Sequence, residues 1–217
     1  MACHRHAEGQ PADERPVAFE FKQVSVRRVN RLVLDEVSAR IPAAGITVVA
    51  GPSGAGKTTL LRLCNRLDIP DAGRVWYRGQ PLDELDPLAL RRRVGMVFQR
   101  PTPFPGNVAD NLAVAHPDAG AEEMTTALIQ VALDPGLLGQ EARTLVTQPE
   151  TLLLDEPTSA LDAQPKQVFE ATARDLAAQG ITIIWVTHDS AQADRIADRI
   201  YQLCDGQLTA AAGEARP

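Results

Sequence analysis

Apolar and polar residues alternate along residues 17–26, reading Val17-Ala18-Phe19-Glu20-Phe21-Lys22-Gln23-Val24-Ser25-Val26, and again along residues 33–41, where Pro42 closes the run. This period of two predicts two half-buried antiparallel strands, hence a β-subdomain at the front of the chain. Ile46-Thr47-Val48-Val49-Ala50 is apolar throughout and predicts a parallel strand buried on both faces, with residues 60–67 spaced as a helix packed on it. Asp71-Ala72-Gly73 predicts a turn and residues 74–79 a further strand. Pro87 opens a short helix reaching Arg93, and Val94-Gly95-Met96-Val97-Phe98 is a buried strand that delivers Gln99 at its end.

Three prolines exclude residues 100–106 from regular structure. Helical spacing follows over 107–115, with Asn107 as N-cap, over 121–133 and, more briefly, over 141–146. Thr151-Leu152-Leu153-Leu154 is an apolar strand ending in Asp155 and Glu156. A turn at Leu161-Asp162 leads to a helix over 165–179, closed by Gly180. Residues 181–186 form another buried strand, tipped by Thr187-His188-Asp189; a helix over 190–197 and a last strand over 199–204 follow. Strands and helices alternate through this half. The expected fold is therefore α/β, with a parallel-sheet core, helices on it, and chemistry at the carboxyl ends of the strands.

Composition narrows the function classes. A chain of 217 residues with 44% hydrophobic and 23% charged residues is that of an ordinary globular domain, large enough to bury a sizeable core. A net charge of −6 argues against nucleic acid as a partner, which needs a basic face. The one dense basic run, Arg91-Arg92-Arg93, reads as a solvated helix end with arginines near terminal carbonyls. Three widely spaced cysteines, Cys3, Cys64 and Cys204, make a disulfide framework unexpected. No run approaches the ~18 apolar residues of a membrane span, the N-terminus lacks a signal-peptide core, and the polar residues 1–16 are expected to be disordered.

The candidate chemistry centres on Gly51, Pro52, Ser53, Gly54, Ala55, Gly56, Lys57, Thr58 and Thr59, which fit G-x-x-x-x-G-K-[ST] between a strand and a helix. Glycines let successive backbone N–H groups turn inward on phosphate oxygens at a helix N-terminus. Lys57 is placed to reach the β- and γ-phosphates, and the Thr58 hydroxyl to ligate Mg²⁺. In one parallel sheet this loop, Gln99, the Asp155-Glu156 pair and His188 all fall on one edge. They can converge on a single Mg²⁺-nucleotide: Asp155 holding metal, Glu156 polarising water, His188 bonding the γ-phosphate, Gln99 touching metal and water.

These motifs together resemble the ATP-binding subunit of an ABC transporter, over residues 19–208. The matching elements are the Walker A loop at 51–59, the Q-loop at Gln99, the Walker B strand at 152–155 with catalytic Glu156, the D-loop Ser159-Ala160-Leu161-Asp162, and the switch His188. The resemblance implies ATP and Mg²⁺ as cofactors, with Thr58, Gln99 and Asp155 toward the metal. It also implies separate membrane subunits as partners, a homodimer or heterodimer of ATP-binding subunits, and a peripheral position on the cytoplasmic face of the cell membrane. The implied domain covers 17–208, with a truncated helical subdomain at about 100–148 and a tail at 209–217. Residues 91–105 are similar to phosphate-importer ATPase subunits, while Trp185-Val186-Thr187-His188-Asp189 is similar to subunits assigned to metal or iron export.

Two departures stand out. The family stacks an aromatic ring on adenine where this chain has Arg27-Arg28. The LSGGQ signature is not found: 55 residues separate Gln99 from Asp155, and its place falls within 131–139, with Leu138-Gly139-Gln140-Glu141 as an alternative remnant. A deletion through the signature leaves two functions open, an ATP-hydrolysing transport motor or a nucleotide-binding subunit that does not turn over. A DNA-repair ATPase of the same superfamily is disfavoured by the lack of heptads and paired cysteines.

Overall fold

The computed structural model describes residues 16–29, 31–99 and 148–211. Residues 100–147, on which the expected helical subdomain and the signature position fall, lie outside the described residues, as do residues 1–15.

Two sheets share one core. β1 (Val17–Arg28), β2 (Arg31–Pro42), β4 (Ala72–Tyr77) and β5 (Gln80–Pro81) form an antiparallel sheet in the order β2-β1-β4-β5. The alternation predicted for β1 slips once, at Gln23, which takes a φ of 50° and whose N–H bonds Ser38 Oγ, so that Lys22 and Gln23 both face outward. β3 (Gly45–Ala50), β6 (Val94–Val97), β7 (Thr151–Asp155), β8 (Thr182–Thr187), β9 (Arg199–Cys204) and β10 (Gln207–Ala210) form the second sheet, in the order β10-β9-β3-β8-β7-β6. The four pairings that join β9, β3, β8, β7 and β6 are parallel, and β10 alone runs antiparallel at the edge.

The parallel strands are apolar because each faces a packed layer on both sides. Val49, Leu153, Ile184 and Val186 point toward the antiparallel sheet, meeting Phe19, Leu34 and the helix α1 (Lys57–Cys64). Val48, Leu152, Leu154, Ile183 and Trp185 point the other way, onto α3 (Ala163–Ala178) and α4 (Ser190–Ile196) through Phe169, Ala173, Ala193 and Ile196. The fully buried Trp185 stands edge-on to Phe169, with ring centroids 5.5 Å apart. Pro165 lies in the first turn of α3, where a missing N–H is tolerated.

Three expectations are corrected. The first helix stops at Cys64 rather than at Leu67, because Arg66 turns left-handed (φ 54°) and the N–H groups of Leu67 and Asp68 both return to Arg62 O. The Arg91 guanidinium, on α2 (Pro87–Arg93), caps that end by donating to the carbonyls of Asn65 and Arg66 at 3.1 and 2.7 Å. Within the basic run, expected to be a solvated helix end, Arg91 thus serves carbonyls just past the end of α1 and Arg93 pairs with Glu150. Residues 199–204 are not the last strand: Asp205 and Gly206 both take positive φ (49° and 80°), the geometry of a two-residue hairpin turn, and β10 returns along β9 as far as Ala210. Cys64 is buried and free, but Cys204 is disulfide-bonded, against the expectation.

Glu150 ties the layers together. Its carboxylate accepts from Arg93 Nε at 2.7 Å and pairs with Arg78 Nε at 3.0 Å, while its backbone N–H bonds Arg93 O and its carbonyl accepts from Thr182 N. Hydrogen bonding from Arg93 holds this carboxyl below the usual glutamate range despite partial burial. A folded-state pKa below the unfolded one adds stability that is present above about pH 4.3 and lost as pH falls through the folded value. Glu150→Gln is thus expected to lower stability by at most ~1 kcal/mol at neutral pH. Denaturant melts should show that difference shrinking as the pH is taken below about 4.

Candidate nucleotide site

Strand register sets the site. Ala50 lies opposite Thr187, Asp155 opposite Val186, and Val97 opposite Leu154. The residues just beyond these tips, Gly51, His188, Glu156 and Gln99, therefore emerge side by side. Pro52, Ser53, Gly54, Gly56, Lys57, Thr58, Thr59, Gln99, Glu156 and His188, together with Val33 of β2, line an open cleft of about 700 Å³.

The loop between β3 and α1 requires its glycines. A Cβ on Gly51 would lie 2.2 Å from Leu203 O, so the chain leaves the sheet through a gap that admits no side chain. Gly56 takes a φ of 106°, and a Cβ there would press within 2.9 Å of Val33 O. Ala55, by contrast, turns into the core, and its N–H bonds Pro52 O. Lys57 closes the loop on itself: its buried ammonium donates to Gly51 O at 2.8 Å and Pro52 O at 2.9 Å, and sits 3.6 Å from Glu156 Oε1.

The carboxylates divide between two depths. Asp155 is 5% exposed, beneath the cleft floor, and accepts from the Thr58 hydroxyl at 2.9 Å. Burial pushes its carboxyl above the usual range; the Thr58 hydrogen bond draws it back, and the neighbouring charge of Glu156 adds to the upward push. Glu156 stands at the surface of the cleft in a left-handed conformation, φ 48°, held by its N–H on Val186 O. Its Oε2 accepts from Gln99 Nε2 at 3.2 Å and meets His188 Nδ1 at 3.0 Å. With a carboxylate as partner, Nδ1 carries the proton, which leaves Nε2 of the ring as the other polar position.

The arrangement suits a magnesium-bound polyphosphate. Thr58 and Asp155 offer hard oxygen donors in mutual contact, and among the described residues no group of three His, Cys, Asp or Glu side chains forms a metal cage. Mg²⁺ is characteristically held by one or two protein oxygens plus phosphates and water, so the donor set fits it. The positive charge also answers the crowding of Asp155 against Glu156.

Of the thirteen residues expected at the site, ten line this cleft, while Gly51, Ala55 and Asp155 are not part of its lining. Arg27 and Arg28, at the place where the family has its aromatic ring, are not among the cleft-lining residues: Arg28 is paired with Asp68 at 3.1 Å, and the backbone N–H of Arg27 bonds Asp71. Val33 lines the cleft instead, with the Arg31 guanidinium 3.5 Å from Gly54 O. Val33 was hidden in the sequence because it reads as one more strand residue of β2.

A family model described as ABC transporter matches residues 34–159, which include Lys57, Gln99 and Glu156. The chain belongs to the ABC transporter family. It is 41% identical to rice (Oryza sativa subsp. japonica) protein STAR1 over 196 residues, spanning 81% of this chain and 56% of that protein. Against the phosphate import ATP-binding protein PstB 2 of Mycobacterium tuberculosis (strain ATCC 25618 / H37Rv) it is 38% identical over 242 residues, covering 96% of this chain and 87% of the relative. That alignment is longer than the 217-residue chain, so the relative carries positions with no counterpart here. A solved bacterial Atm1-family ABC exporter with ATP bound superposes with a TM-score of 0.80 at 29% identity, covering 90% of this chain and 38% of that one. CbiO1 of Clostridium perfringens, part of the cbiONQ ABC transporter complex, superposes at 0.79 over 90% of this chain and 88% of its own, at 23% identity that speaks to fold alone. The α/β fold with a P-loop and the ABC ATP-binding subunit expected from the motifs are what these likenesses show.

Proposed function

We propose that this ABC ATP-binding subunit holds Mg²⁺-ATP in the cleft and couples its binding and hydrolysis to solute import, phosphate being the favoured solute, through separate membrane subunits at the cytoplasmic face. The observation that carries the reading is the convergence of Lys57, Glu156, Gln99 and His188 on one cleft, within 3.6 Å of each other along the chain of contacts through Glu156. The phosphate assignment draws its support from the PstB relatives.

Lys57 would release its two carbonyl contacts in favour of phosphate oxygens, a charge-assisted exchange. Thr58 and Asp155 would hold Mg²⁺, which when bound neutralises phosphate charge. Glu156 orients the attacking water, with Gln99 steadying its carboxylate. His188, kept in one tautomer by Glu156, offers its remaining ring nitrogen to the γ-phosphate. Two such subunits facing each other would enclose the nucleotide.

The test is steady-state hydrolysis with excess Mg²⁺. Wild type should turn over ATP, and Glu156→Gln should not; a wild-type rate no higher than that of the variant refutes the motor. One observation favours a second reading, a subunit that binds without turning over: the chain lacks a recognisable LSGGQ, and the PstB 2 alignment exceeds it in length. ATP-driven dimerisation of this chain alone would count against that reading.

Asp155 gives a prediction of opposite signs. Its folded-state pKa lies above the unfolded ~3.9, so ionisation at neutral pH works against folding, an effect absent below the unfolded value. Asp155→Asn keeps the acceptor for Thr58 and removes the charge. It is expected to raise the melting temperature of the nucleotide-free chain, on the order of 2 °C, while abolishing the magnesium dependence of ATP binding.

A further inference from the structure

A buried hydrogen-bond network lies behind the cleft, on residues to which the chemistry above gives no role. At its centre is Gln192 of α4, 2% exposed. Its Nε2 donates to Glu170 Oε1 at 2.8 Å and to Thr158 Oγ1 at 2.9 Å, and its Oε1 accepts from Thr187 Oγ1 at 2.9 Å. Glu170, 3% exposed on α3, is held in turn by Arg195 through Nε on Oε2 at 2.9 Å and Nη2 on Oε1 at 2.8 Å.

The directions of these bonds follow from the carboxylate. Glu170 accepts only, so it fixes the Gln192 amide with its nitrogen inward and its oxygen toward Thr187. The Thr187 hydroxyl must then donate to Gln192, which frees its lone pair for the N–H of Asp189 at 3.1 Å. Asp189 itself is pinned by Lys166 Nζ at 2.8 Å and caps α4 through the Gln192 N–H at 3.0 Å. Every donor and acceptor of the buried amide is thus used, and each link is specified by the one before it.

The two hydroxyls that Gln192 grips are not arbitrary. Thr187 immediately precedes His188. Thr158 follows Glu156 by two residues, in a loop whose first residue sits in the left-handed region with Ser159 N–H closing back on Glu156 O at 3.1 Å. One side chain therefore spans the bases of both loops whose tips meet in the contact of Glu156 Oε2 and His188 Nδ1 at 3.0 Å. We propose that Gln192 is a positioning residue that sets the spacing of Glu156 and His188, and so the grip of the site on the terminal phosphate of a nucleoside triphosphate. The inference rests on the nucleotide site proposed above, and it adds a residue that touches neither nucleotide nor metal.

The prediction is a loss confined to the terminal phosphate. Binding of magnesium AMP-PNP and magnesium ADP is to be compared by calorimetry for wild type, Gln192→Leu, His188→Ala and the double variant, with melting temperatures alongside. Wild type is expected to prefer AMP-PNP by about tenfold, the size of one hydrogen bond to a charged oxygen. Gln192→Leu should bring that preference close to one while leaving ADP affinity within about twofold. His188→Ala should do the same, and the double variant should lose no more than either single change. Thr187→Val removes one link of the network with little change of shape; it should show a smaller loss of the same kind even if Gln192→Leu folds poorly.

Three results would overturn the proposal: a wild-type preference in Gln192→Leu and Thr187→Val, equal losses of AMP-PNP and ADP, or losses that add in the double variant. A wild-type chain that binds neither nucleotide would overturn the nucleotide site itself, and this inference with it. That outcome is distinct from the other three, in which ADP still binds.

Discussion

Lys57→Ala is expected to weaken binding of Mg²⁺-ATP on the order of 10²-fold with the fold intact. The ammonium is 5% exposed and holds the Gly51 and Pro52 carbonyls, so in the free chain it already stands at the mouth of the loop with its orientation set. Removing a charge-assisted donor to phosphate from so enclosed a place typically costs a few kcal/mol. Pro52 and Lys57 both line the cleft, so water can enter where the ammonium is removed, and thermal stability should change little. Lys57→Arg is expected to fail nearly as badly, because a planar guanidinium does not reproduce the compact ammonium that donates to Gly51 O and Pro52 O. Titration calorimetry with the three chains reads both effects.

The second large effect is a gain. Inserting an LSGGQ segment and the start of its helix within residues 131–141 is expected to raise ATP turnover on the order of 10²–10³-fold, the usual worth of a donor aimed at developing phosphate charge. The gain should require Glu156, so that Glu156→Gln in the lengthened chain returns it to background. Only 55 residues connect Gln99 to Asp155, and the PstB 2 alignment is longer than this chain. With the remnant placed at Leu138-Gly139-Gln140-Glu141, the expected helix after it is short by roughly two turns, or ~10 Å, beyond any direct contact with phosphate. If the lengthened chain dimerises with ATP yet hydrolyses no faster, the missing donors are not what limits the native chain.

Much of this site can be read from the chain because its parts are local. A glycine-rich loop after an apolar run, or two carboxylates at a strand end, declares itself within ten residues, and parallel register then aligns the tips without further information. The N-terminal strands were equally legible, since their alternation has one buried face. What escaped depends on tertiary partners. The end of α1 at Cys64 goes with a left-handed Arg66 and with Arg91, distant in sequence, taking the carbonyls of Asn65 and Arg66 just past it. Asp205-Gly206 carries a hairpin signal, but the run after it, Gln207 to Ala210, is too short and weakly apolar to declare a strand by itself. Arg28 stands where the family has its aromatic ring, yet its guanidinium pairs with Asp68 and is not part of the cleft lining. Gln192 could not be singled out at all: its partners lie on a loop, a helix and a strand tip that meet only after folding.

Equilibrium dialysis of labelled ATP against the full chain, with excess magnesium, bears most directly on the claim that these strand tips hold a triphosphate. Saturable, stoichiometric retention that disappears with a chelator and in Lys57→Ala is the result this account predicts. No retention by wild type, or equal retention by Lys57→Ala, would contradict it.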